Sequence, residues 1–254
     1  MKSIGDMNDL TVIIPTINSG RYLDIILGFY RDQGIPVTVF VDNASVDDTL
    51  MVAERFATKV FSIANPRRNV AETMIEPSSR LCSTRWVLRM DDDELPSSAM
   101  MTFVRAALSE KRVEVCAFER HQCAVSTRGT LLRHRNVSPT EHRQWRLYQP
   151  AKVKYTHRIH TPTFKWDPES GRTANPEASM IHLDWAVHSY EERRRKVELY
   201  DEQTPNGGTR WRSYYLYEEQ PSSRESFEEM ALPEFDQVCR QLSLRFAQFC
   251  VKAD

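Results

Sequence analysis

Glycine is scarce, eight in 254 residues, and neither an internal repeat nor a biased tract appears. That excludes collagen-like, loop-dominated and low-complexity architectures. No apolar run approaches the roughly 20 residues that span a bilayer, and residues 1–10 lack a basic stretch leading into an apolar one. A cytoplasmic protein with no transmembrane segment is the expectation. Cysteine occurs five times (Cys82, Cys116, Cys123, Cys239, Cys250), at no spacing that suits zinc, so free thiols are expected rather than a disulfide framework. Net charge is nearly absent too, at −1.

That average hides an asymmetry. Residues 1–110 carry 11 Lys and Arg against 15 Asp and Glu, residues 111–172 carry 13 against 5, and residues 173–254 carry 10 against 15. The basic middle also holds five of the seven histidines (His121, His134, His142, His157, His160). It reads either as a solvated face or as a surface for an anionic partner: nucleic acid, a lipid phosphate or an anionic saccharide. Trp145, Tyr148, Tyr155 and Trp166 interleave with these cations, as core residues or as stacking surfaces. The triplet Arg193-Arg194-Arg195 reads as a solvated helix face.

The first hundred residues alternate. Thr11–Pro15 and Pro36–Val41 are short apolar runs that read as buried parallel strands, and Lys59–Ile63 and Arg85–Met90 extend the series. Helices are expected over 20–30, 49–57, 71–81 and 96–108, the second capped by Asp47 or Asp48. This β-α-β-α-β order predicts an α/β fold, a mostly parallel sheet flanked by helices, whose ligands bind at the carboxyl ends of the strands. Asp42 stands at such an end. Residues 119–180 are looser, with short strands near 145–148, 153–155 and 163–166, followed by a charged helix over 191–203 and an amphipathic one over 232–251. Two halves of one continuous domain are expected: 1–110 for a nucleotide, 111–254 for an acceptor.

Asp91-Asp92-Asp93-Glu94 directly follows a predicted buried strand. Several carboxylates in one place cost free energy unless a cation or hydrogen-bond donors offset them. A divalent metal with phosphate in its shell would do so, and strand alternation would aim Asp91 and Asp93 at one ion with Asp92 pointing away. The competing reading is a cap for the helix that starts near Pro96.

These segments are similar to one family. Val12-Ile13-Ile14-Pro15-Thr16-Ile17-Asn18, then Val41-Asp42-Asn43-Ala44-Ser45-Val46-Asp47-Asp48-Thr49, then Arg68-Asn69, then Trp86 to Pro96 through the acidic run, resemble in order the blocks of family 2 glycosyltransferases. Trp145-Arg146-Leu147-Tyr148 with Arg158-Ile159-His160, and Ile181-His182-Leu183-Asp184-Trp185, resemble later blocks of bacterial cell-surface sugar transferases in that family. The likeness covers roughly residues 10–200. It implies a GT-A, Rossmann-like fold with a C-terminal acceptor-side region. It also implies transfer of a sugar, with inversion, from a nucleotide diphosphate (a UDP-sugar) to an acceptor hydroxyl with Mn2+ or Mg2+.

The resemblance implies that Pro15, Thr16, Asn18, Asp42, Arg68, Asn69, Asp91 and Asp92 contact the nucleotide sugar, and that Asp91, Asp93 and His182 hold the metal. A packed, hydrogen-bonded histidine is the other reading of His182. Thr161 stands where relatives carry a glutamate, which leaves the catalytic base among Asp184, Glu141 and His160. It also keeps open a catalytically silent nucleotide-binding homologue. A nucleotidyltransferase is the further rival, although the loop Thr16–Arg21 lacks the lysine its phosphate loop would use.

Overall fold

A computed structural model describes residues 7–65, 67, 71–156, 163–219 and 226–252. In chain order the elements are β1 (Leu10–Thr16), α1 (Gly20–Asp32), β2 (Val37–Asp42), α2 (Thr49–Phe56), β3 (Lys59–Ile63), α3 (Ile75–Arg80), β4 (Trp86–Arg89), β5 (Glu94–Pro96) and α4 (Ser98–Ala107). There follow β6 (Val115–Phe118), β7 (Arg120–Val125), β8 (Leu131–His134), β9 (Gln144–Tyr148), β10 (Lys154–Tyr155), β11 (Phe164–Lys165), β12 (Gly171–Thr173) and β13 (Met180–His182). The last are α5 (Asp184–Val187), α6 (Tyr190–Gln203), α7 (Arg212–Tyr215), β14 (Phe227–Glu229) and α8 (Asp236–Arg245). The chain divides into two compact units, residues 1–119 with 143–180, and residues 120–142 with 181–254.

The first unit is built on a seven-stranded sheet of order β12-β6-β9-β4-β1-β2-β3. β4, β1, β2 and β3 are parallel, in registers such as Val12↔Val37 and Val12↔Leu88, with helical crossovers between them. This is the α/β alternation expected from the sequence, because Ile13, Ile14, Val39 and Phe40 are wholly buried and need cover on both sheet faces. β9 enters antiparallel between β4 and β6, with Leu147 paired to both Leu88 and Cys116. Residues 143–180 therefore return to the first unit, and each of the two compact units is discontinuous in sequence.

The helix expected over 71–81 is split into a 3-10 turn, Ala71–Thr73, and α3, which tolerates Pro77 because that residue falls in its first turn, where the missing amide has no intrahelical partner. Ile13, Phe40, Val87, Val115, Tyr148 and Phe164 form the core. Trp145 and Trp166, with ring centroids 4.2 Å apart, pack on its edge, so of the two readings open for these aromatics the core one accounts for both.

In the second unit β7, β8 and β14 make an antiparallel meander, with Cys123↔Arg133 and Glu228↔Arg133 in register. Trp185 of α5 packs with Ala124, Leu132 and Tyr217. α6 opens on a capping box, in which the Ser189 hydroxyl accepts the Glu192 amide and the Glu192 carboxylate accepts the Ser189 amide. Of the arginine triplet, Arg194 lies exposed between Glu191 and Glu198 as expected. Arg193 corrects that reading: it is 3% exposed and donates to Glu218 and the Tyr215 carbonyl. The amphipathic helix expected over 232–251 shortens to α8, preceded by a 3-10 turn that starts at Pro233.

Candidate functional site

The carboxyl ends of β1, β2 and β4 lie side by side in the first unit, because β1 pairs with both of the others. The loop after β1 follows buried Pro15 and Thr16 and turns at Asn18, whose φ of 52° is the left-handed region that asparagine tolerates. The Asn18 amide oxygen accepts the Val46 amide at 2.9 Å, the Ser19 amide donates to the Thr49 hydroxyl at 2.7 Å, and the Gly20 amide donates to Asp47 at 3.0 Å. Asp47 also accepts from the Thr49 amide and hydroxyl. Its carboxylate thus makes the bonds expected of a cap, while Asp48, at the N-cap position of α2, makes none with its side chain. The two strand-end loops are held together as one wall.

Asp42 closes β2 and is 1% exposed. One of its oxygens accepts the Ala44 amide at 2.9 Å, whereas the other, Oδ2, is buried with no hydrogen-bond partner. A buried acceptor left unsatisfied carries a desolvation cost of about 1–3 kcal/mol, and such groups in folded proteins call for an explanation.

The acidic run occupies a turn between β4 and β5, closed by the Glu94 amide donating to the Asp91 carbonyl at 3.1 Å. The expectation that strand alternation aims Asp91 and Asp93 alike fails for that reason, since a turn has no period of two. Nor does the run cap the next helix; the Ser97 hydroxyl does so, accepting the Met100 amide. Asp91 is ion-paired through both oxygens, to Arg89 at 2.7 Å and to Arg146 at 2.6 Å. Asp92 accepts hydrogen bonds from Thr16 at 2.5 Å and from Ser19. Asp93 is 4% exposed and Glu94 wholly buried, the latter paired with Arg146. Arg89, Arg146 and Ser19 were missed by sequence reasoning. Arg89 carried a readable signal: it stands two residues before Asp91, as the one charged residue of a strand otherwise made of apolar residues.

In the second unit His182 is 4% exposed, and its Nδ1 faces Gln122 and the Tyr214 hydroxyl, the latter at 3.1 Å. Asp184 offers a ligand atom within 4.8 Å of one on His182. It is wholly buried, paired with Lys196 at 3.1 Å and His188 at 3.0 Å. Burial alone would raise its carboxyl, yet Lys196 and then His188 hold it well below the usual carboxylate range. His142 stacks on Tyr214 at 4.2 Å. Burial first, then Arg120 and His182, push His142 down to about 4. Glu141 is exposed. Arg68, Asn69 and His160 lie outside the described residues.

The model of glycosyl transferase family 2 matches residues 11–166. The chain belongs to that family. The match spans the whole acidic turn and both strand-end loops of the first unit. Among curated proteins none matches. Solved structures similar to the chain include S. aureus TarS, at 15% identity and a TM-score of 0.48 over 76% of this chain and 39% of that one. TarS 1–349 in complex with UDP-GlcNAc matches at 19% identity and a TM-score of 0.37, over 56% of this chain and 45% of that one. Glucosyl-3-phosphoglycerate synthase from Mycobacterium tuberculosis, in complex with Mn2+ and UDP-glucose, matches at 17% identity and a TM-score of 0.36, over 44% and 43%. The chain spans about two fifths of the length of the TarS chain it matches. No described helix is long and apolar enough to cross a membrane.

Proposed function

We propose that this chain is a metal-assisted glycosyltransferase that moves a sugar from a nucleotide diphosphate to an acceptor hydroxyl, with inversion and with a UDP-sugar as donor. The observation that carries the reading is the buried, partnerless Oδ2 of Asp42 at the carboxyl end of β2. A carboxylate accepts and does not donate, so its fitting partner is an N–H, which uracil presents at N3. The hydroxyls of Thr16 and Ser19 and the carboxylate of Asp92 line the neighbouring strand ends, where ribose and diphosphate would follow the base.

Carboxylate oxygens suit Mn2+ or Mg2+. Within the acidic turn the metal role goes to Asp93 in preference to Asp91, whose two oxygens already meet arginines. A bound ion would stabilise the charge that develops on the departing diphosphate. For the base, a carboxyl held well below its usual range is a weak proton acceptor, so Asp184 serves better as a fixed charge for Lys196 and His188. Proton removal from the acceptor then rests with Glu141 or His160. The acceptor is a saccharide, a lipid-linked compound or a nucleic acid that offers a hydroxyl.

Incubation with UDP-sugars and Mn2+ tests this reading. Slow, metal-dependent release of UDP that disappears in Asp93→Ala supports it. Absence of both hydrolysis and metal-dependent nucleotide binding overturns it, and pyrophosphate release from a nucleoside triphosphate would indicate nucleotidyl transfer instead.

A further inference from the structure

Two arginines and two carboxylates form a cluster at the base of the acidic turn. Arg146 is 1% exposed, and a single guanidinium nitrogen, Nη2, donates to Asp91 Oδ2 at 2.6 Å and to Glu94 Oε1 at 2.5 Å. Arg89 donates through Nε and Nη2 to the other Asp91 oxygen, at 3.1 and 2.7 Å. The backbone repeats the link, for the Asp91 amide donates to Glu94 Oε2 at 3.0 Å and the Glu94 amide to the Asp91 carbonyl at 3.1 Å. Residues 91 and 94 are therefore fastened to each other and to β9. Asp92 is tied to the β1 loop through Thr16 and Ser19. Asp93 sits between these anchors.

We propose that Arg146 is a positioning residue for the donor site: by bridging Asp91 and Glu94 it fixes the turn that presents Asp93 to a divalent cation. This inference rests on the reading of the acidic turn as a metal and diphosphate site. The bonds that fasten residues 91 and 94 involve no ion, so the turn is organised before metal arrives. Lysine keeps the charge of arginine but not the planar geometry that lets one group hold two carboxylates.

The test is UDP binding by calorimetry, with and without Mn2+, on wild type, Asp93→Asn and Arg146→Lys, with thermal melts to establish folding. Wild type is expected to bind UDP at least ten-fold more tightly with Mn2+, and Asp93→Asn to lose that gain. Arg146→Lys is expected to bind metal-free UDP as wild type does and to lose most of the Mn2+ gain, a split that general loosening of the fold would not produce. A folded Arg146→Lys that keeps the full gain overturns the positioning role alone. A wild type with no Mn2+ gain overturns the donor-site reading, and this inference with it. If Arg146→Lys does not fold, the isosteric Glu94→Gln decides: at least a three-fold loss of the Mn2+ gain supports the bridge, and an unchanged gain contradicts it.

Discussion

The Thr16 hydroxyl donates to the Asp92 carboxylate at 2.5 Å, joining the carboxyl end of β1 to the turn after β4 across 76 residues of sequence. Ser19 adds a second hydroxyl to the same oxygen, and Tyr22 in turn donates to Ser19 at 3.1 Å. Thr16→Val removes one donor while keeping the β-branched shape of the strand. It is expected to weaken UDP binding about three- to ten-fold, the worth of a hydrogen bond to a charged group after partial compensation by Ser19. Calorimetry on the folded variant checks this.

Gly20 tolerates no side chain. A Cβ there would lie 1.8 Å from Asp48 Oδ1 and 2.9 Å from the Thr49 amide nitrogen. The aspartate can swing aside, but the backbone of α2 cannot do so cheaply. Gly20→Ala is expected to destabilise by about 1–3 kcal/mol, the usual cost of overpacking, read as a fall in Tm of several degrees.

The second unit is expected to respond to pH through His142. Its folded pKa of about 4 lies below the unfolded value of about 6.5, so the unfolded chain binds more protons between these limits. Stability is then fully present above the unfolded pKa and declines as pH falls toward the folded one. His142→Phe, which keeps a ring against Tyr214, is expected to reduce the loss of Tm in that window. An unchanged pH profile would contradict the assignment.

The parallel half of the sheet was legible because β1 and β2 are buried, largely β-branched runs that end in polar loops. What the sequence hid lies where charge balance decides. The acidic run alone suited a metal site or a helix cap, and only the folded chain brings Arg146, 52 residues after Glu94, onto both Glu94 and Asp91. Period-two reasoning failed at Asp91–Asp93 because a turn replaced the strand. The return of residues 143–180 was hidden for a related reason: β9 alternates too briefly to announce an antiparallel partner, and its place follows from the open edges of β4 and β6. Asp42 was marked by its position at a strand end, but the partnerless oxygen that gives it chemical meaning is visible only in three dimensions.

The proposed preference for a uracil nucleotide rests on that oxygen. Asp42→Asn places a donor amide beside the acceptor and is expected to relax the preference for UDP over CDP, seen as converging dissociation constants for the two nucleotides. A variant that retains the wild-type ratio would show that Asp42 does not face the base.

The central claim, a donor site in which an ion and a nucleoside diphosphate are bound together, is tested most directly by titrating UDP into the wild-type protein with and without Mn2+. At least ten-fold tighter binding with the metal is expected. Equal binding in both conditions, or no binding in either, would contradict the account.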